Sequence, residues 1–191
     1  MKASLHIAQD PAADEVLSTD AFGLLVGMLL DQQFPMERAF AGPAKIKDRF
    51  GSIDPAAVAG ADPEEFARLC STPPAIHRYG RSMAARLQAL AALVEAEYGG
   101  DASRIWTGVA TGQELLARVM ALPGFGKQKA QIFVALLAKQ LGVRPEGWER
   151  AVGAYAEDGY RSVADVTDPE SLQKVRDFKK AKKAEARTKA G

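Results

Sequence analysis

A chain of 191 residues that is 47% hydrophobic and 26% charged, with a net charge of +1, has the composition of a globular protein and not of a disordered or fibrous one. Its one cysteine, Cys70, excludes an internal disulfide and a four-cysteine iron–sulfur cluster. No apolar run approaches the roughly 20 residues of a membrane span, and residues 1–6 hold no hydrophobic signal core, so a cytoplasmic protein is expected.

Aromatic residues make up only 7%, alanine is frequent and β-branched runs are rare, which predicts an all-α fold of one domain or two small lobes. Residues 3–8 read as an extended segment or loop ended by Asp10-Pro11. Ser18, Thr19 and Asp20 offer N-caps to a helix holding Phe22, Leu24, Leu25, Val26, Met28, Leu29 and Leu30, apolar nearly all round and therefore central. That helix runs into Asp31-Gln32-Gln33-Phe34-Pro35, whose amides either cap its end or face a surface where lobes meet. A helix over 36–50 is interrupted at Gly42-Pro43 and closed by Gly51. Asp54-Pro55 and Asp62-Pro63 each read as an N-cap followed by proline at the first helical position, so short helices are predicted over 55–60 and 63–70.

Thr72-Pro73-Pro74 breaks the chain before a long helix over about 81–98. At its entrance His77, Arg78, Tyr79 and Arg81 place cations beside an aromatic. A base could stack on Tyr79 while arginines meet phosphates, or these are ordinary surface residues at a helix start. Two further amphipathic helices flank Leu122-Pro123-Gly124-Phe125-Gly126-Lys127-Gln128-Lys129-Ala130. A break at 142–148, a helix over 149–156, a turn capped by Ser162 and a final helix from Asp168-Pro169 complete the chain. Residues 174–191 carry eight Lys or Arg against Asp177 and Glu185, a local charge of +6 that suits either a phosphate contact or a solvated terminal helix.

The stretch between the paired helices is the most informative. Pro123 cannot continue the first helix, and the glycines allow a tight reversal with no β-carbon over the amides. Amides of Gly124, Gly126 and Lys127 then sit where unpaired N–H groups and the helix dipole favour an anion, and Lys127 and Lys129 add positive charge. A nucleic-acid phosphate fits that description.

Leu-Pro-Gly-Phe-Gly-Lys-x-Lys-Ala between two amphipathic helices resembles the helix-hairpin-helix of the DNA glycosylase superfamily that includes endonuclease III. The resemblance covers about residues 18–160. It implies a base excision DNA repair protein that grips double-stranded DNA through Leu122, Gly124, Phe125, Gly126, Lys127 and Lys129, with a structural monovalent cation possible on the hairpin carbonyls. It implies two helical lobes, one of six helices over about 21–120 including the hairpin region and the other from the N-terminal segment and about 140–185, with a basic tail at 179–191. A nucleoid-associated monomer without a nucleotide cofactor or metal is expected.

The resemblance also names candidate site residues. Gln33 matches a glutamine that fills the gap left by an extruded nucleotide, and Tyr79 and Arg81 lie in a loop facing the cleft. The position of the family's Schiff-base lysine is Gln128, which implies a water-using glycosylase without lyase activity. Eighteen residues further, where the family has an aspartate, this chain has Glu146, the leading general base; a different loop length would put Glu149 or Asp158 there. The alternative is a DNA-binding module that keeps the hairpin and lacks catalysis.

Overall fold

The computed structural model describes residues 3–191, among which there are eleven α-helices, three short 3-10 turns and no named strand. The helices are α1 (Pro11–Thr19), α2 (Ala21–Leu30), α3 (Met36–Phe40), α4 (Gly42–Phe50), α5 (Pro55–Gly60), α6 (Pro63–Ser71), α7 (Gly80–Tyr98), α8 (Gly112–Met120), α9 (Lys127–Leu141), α10 (Trp148–Val152) and α11 (Pro169–Ala190). The all-α reading is therefore correct, and so is the break at Gly42 that separates α3 from α4.

Helix α1 is the element that the sequence reading passed over. Its signal is the same one that announced α5 and α6: the Asp10 carboxylate accepts from the Ala13 amide, and proline opens the first turn. Asp14, buried within it, accepts from the Ala8 amide and ties the N-terminal segment down. Burial raises the Asp14 pKa, with the Ala8 amide opposing that shift.

Helix α2 is buried from Phe22 to Leu30, and each fully covered Leu or Phe there contributes about 1.5–3 kcal/mol of transfer free energy. It packs on α1, α3, α4 and, more lightly, α7, while α5 and α6 lie along α7. Helix α9 is the second centre, with Phe133 to Ala138 buried against α8, α10 and the 3-10 turn Val163–Asp165. The N-terminal α1 packs on α2–α4, and α8 packs chiefly on α9 and α10.

The last two helices differ from expectation in extent. Residues 149–156 form α10 only to Val152, and a 3-10 turn over Gly153–Ala156 carries the chain back toward the start of α9. Helix α11 runs on through the basic stretch to Ala190, with every residue from Lys179 onward exposed. Its inner turns are held by Leu172 and Val175 in the core and by an Arg176–Glu37 ion pair to α3.

Candidate functional site

The hairpin is seated on the C-terminal end of α2. Gly124 has φ +82, and a β-carbon there would lie 2.3 Å from Leu29 Cδ1, so the turn both needs left-handed backbone and packs its bare Cα directly against the Leu29 side chain of α2. Leu122 and Phe125 are buried, and the Phe125 amide donates to the Leu122 carbonyl at 3.1 Å. Their side chains anchor the turn to the core, with Phe125 edge-on to Phe133 (centroids 6.1 Å apart), and only their main chain can face a ligand.

Gly126 is the N-cap of α9 and no side chain caps the helix. The amides of Gly126, Lys127 and Gln128 donate no hydrogen bond to the described residues, and all three residues are exposed. Space around Gly126 is open, in contrast to Gly124. A helix start with free donors and exposed Lys127 beside it is built to receive an anion.

Lys129 does not join them. Its ammonium donates to the carbonyls of Met28 (2.8 Å), Leu29 (3.0 Å) and Asp31 (3.3 Å), capping α2. One helical step from Gln128 rotates its side chain by about 100°, and that rotation turns it inward instead of toward a phosphate. Burial pushes its pKa down to about 8, and Asp31 opposes the shift. The three carbonyls at the end of α2 also favour the charged form.

Beside this junction lies a cleft of about 560 Å³ walled by Met28 and Asp31 from the end of α2, Gln128 and Ile132 from α9, Tyr155 and Arg161 from the segment after α10, and Phe178, Lys179 and Lys182 from α11. Gln128 donates from Nε2 to the Tyr155 hydroxyl at 2.9 Å. Arg161 and Lys182 both lie over the Phe178 ring, at 5.7 Å. Of the described residues lining the cleft, Asp31 alone carries a carboxylate. Burial raises its pKa, with Lys179 and then Lys129 opposing and Glu37 adding to the rise.

Glu146 is elsewhere. Its amide donates to the Ala110 carbonyl and its own carbonyl accepts from the Gly112 amide, a bridge at the start of α8, opposite the hairpin end. Nine residues of helix, about 13 Å, separate that point from the turn. Gly112 fixes the arrangement, because a β-carbon there would lie 2.3 Å from Trp148 Cα. The count of 18 residues fails because α9 continues to Leu141 and the chain reaches Glu146 before α10 brings it back toward Gln128. Glu149 and Asp158 are exposed and do not line the cleft either.

Just past the end of α2, the paired glutamines separate in role. Gln32 donates from Nε2 to the Leu29 carbonyl and takes a hydrogen bond from Arg86, so it caps α2. Gln33 is exposed and holds φ +50, an uncommon value for a residue with a side chain and a form of local strain that clusters at binding sites. Next to it Phe34, His77 and Tyr79 form a row of rings with centroids 4.8 and 5.8 Å apart. His77 is buried. Its Nδ1 accepts from the Tyr79 amide, so the proton is on Nε2, which donates to the Gln32 carbonyl at 2.8 Å. Tyr79 is 48% exposed with Arg78 over its ring, whereas Arg81 turns away to pair with Glu64 at 2.9 Å.

The assembly is thus an all-helical protein that presents uncapped helix amides beside a half-open cationic cleft. The chain belongs to the HhH-GPD superfamily of base excision DNA repair proteins, whose family model matches residues 26–190. No curated protein matches it significantly. No helix among the described residues is long and apolar enough to cross a membrane, and no three His, Cys, Asp or Glu side chains among them converge as metal ligands.

Proposed function

We infer that this repair protein is a monofunctional DNA glycosylase: it holds double-stranded DNA by a backbone phosphate at the hairpin and hydrolyses the N-glycosidic bond of a nucleotide flipped into the adjacent cleft. The observation that carries the reading is the uncapped start of α9, whose free amides open beside a cleft walled by Lys179 and Lys182. Extrusion is required because a base within the stack cannot be reached. Exposed Gln33, beside the row of rings that ends in Tyr79, suits the space such a base vacates.

An amide at Gln128, hydrogen-bonded to Tyr155, offers no amine for a Schiff base, which favours water as nucleophile. The carbonyls of Pro123 and Gly124 accept no hydrogen bond from the described residues. Oxygen donors of that kind fit a monovalent cation at the turn, where it would add positive charge beside the phosphate.

Gly126→Val tests the hairpin. The space there is open and φ is −74, so the chain tolerates the side chain while two methyls cover the amides. Affinity for undamaged and abasic duplexes should fall together by about tenfold, the worth of one charge-assisted hydrogen bond. Unchanged affinity removes the hairpin from the interface. A panel of duplexes with deaminated, alkylated, oxidised and mispaired bases, followed by hot alkali, tests glycosylase activity. Damage-dependent binding without strand scission on any of them identifies a non-catalytic recognition protein instead.

A further inference from the structure

The cleft needs an acid group close to the sugar, and the position reached by counting from Gln128 does not supply it. We propose that Asp31, the last residue of the α2 junction, is the catalytic carboxylate, and that Lys129 is its positioning residue. The proposal rests on the glycosylase reading above and names the group that performs it.

Three observations converge on Asp31. It lines the same cleft as Gln128 and Tyr155. Its carboxylate forms neither an ion pair nor a hydrogen bond with the described residues, although Lys129 and Lys179 lie near enough to influence its charge. By contrast Glu37, the other acid of this neighbourhood, is paired with Arg176. An acid without a partner beside two lysines has no structural task of its own, and paired or capping carboxylates elsewhere in the chain do.

The peptide that carries Asp31 is fixed from the hairpin side. Lys129 donates to the Asp31 carbonyl and to two carbonyls of the preceding turn, so the residue adjacent to Gln128 sets the main chain from which the carboxylate projects. Helix α9 thereby presents the phosphate-binding amides and, through one side chain, orients the acid.

In the reaction the C1′–N bond breaks and its electron pair leaves on the base. The sugar becomes oxocarbenium-like, and the ionised form of Asp31, which Lys179 and Lys129 favour against the burial that raises its pKa, stabilises that charge. A water oxygen then bonds to C1′, one water proton passes to Asp31, and the departing base takes up a proton from solvent; Asp31 returns its own to solvent. No oxidant, metal or amine is involved.

The test does not require the excised base to be known. Duplexes carrying a cationic pyrrolidine abasic analogue mimic the charged sugar, and duplexes carrying neutral tetrahydrofuran at the same position do not. The wild-type chain should prefer the cationic duplex by about a hundredfold, the low end of what transition-state mimics gain. Asp31→Asn should bring the ratio close to one with tetrahydrofuran affinity unchanged, and Asp31→Ala should do the same. Glu146→Gln should leave the ratio as in wild type. Lys129→Met should lower the ratio partway at equal tetrahydrofuran affinity, the mark of misplaced charge.

A ratio near one in wild type, or one that Asp31→Asn leaves intact, overturns Asp31 as the acid while the glycosylase reading stands. Binding of neither abasic duplex above an undamaged one overturns both. Circular dichroism melting of each variant confirms that the fold is retained, and Asp31→Asn is nearly isosteric at a group that makes no hydrogen bond.

Discussion

The seating of the hairpin on α2 is open to a quantitative test at Gly124. Replacement by alanine puts a β-carbon 2.3 Å from Leu29 Cδ1 in a backbone at φ +82. Left-handed backbone costs a residue with a side chain about 1–2 kcal/mol. Leu29 is fully buried, so it cannot swing aside into water, and overpacking adds about 1–3 kcal/mol. The sum, about 2–5 kcal/mol, lowers the melting temperature of a chain this long by roughly 4–20 °C at about 2–4 °C per kcal/mol. Urea unfolding followed by circular dichroism measures it, with Gly126→Ala as the control. Gly126 meets no atom within 4 Å at φ −74, so that control should stay within about 0.5 kcal/mol of wild type. Leu29→Ala alone opens a cavity, but combined with Gly124→Ala it removes the clash, so the double variant should be less destabilised than the sum of the two by about 1–3 kcal/mol. Gly124→Ala as mild as the control, or strict additivity with Leu29→Ala, would refute direct seating of the turn on α2.

Gln128→Lys places an amine in the cleft beside Tyr155, and borohydride should then trap the variant on an abasic duplex; wild type should give no adduct. His77 is held neutral by burial, which lowers its pKa from 6.5, with the charges of Lys129, Arg78 and Arg86 lowering it further and the Gln32 carbonyl opposing. Below about pH 6.5 the unfolded chain therefore binds a proton that the folded chain refuses, so stability falls on acidification, and urea midpoints of His77→Gln should decline less than those of wild type between about pH 7 and 5. Equal declines would contradict a neutral buried imidazole. Cys70 is buried, and burial pushes its thiol up to about 12, so an aromatic disulfide reagent should label it only after unfolding, and rapid labelling of the native chain would contradict that burial.

Much of the architecture is legible in the sequence because its signals are local. Asp-Pro pairs start helices by capping geometry, Gly42-Pro43 ends one, and the apolar stretch 22–30 must be covered whatever its neighbours. The same logic applied at Asp10-Pro11 yields α1. The hairpin is legible for the same reason: two glycines and a proline between amphipathic helices leave few conformations open.

The site depends on which side of a helix faces which neighbour, and spacing alone does not carry that. Lys129 looks like a second phosphate contact in sequence, yet the rotation of α9 sends it to the α2 carbonyls. Leu122 and Phe125 belong to the motif by position and to the core by burial. Arg81 is drawn off by Glu64, a residue 17 positions earlier in the chain. Glu146 followed from a residue count, which holds only when the length of α9 and the path to α10 are those assumed. Asp31 was in view as the head of Asp31-Gln32-Gln33, but its significance comes from α9, α11 and the segment around Tyr155 closing on it.

The claim that free amides at the start of α9 hold a DNA backbone phosphate is tested most directly by amide resonances of the 15N-labelled chain during titration with a short duplex. The expected result is that the largest shifts fall on Gly124, Gly126, Lys127 and Gln128, and that they reverse as salt is raised. Shifts confined to other surfaces, such as the groove between residues 4–18 and 167–169, with those four amides unmoved, would contradict it.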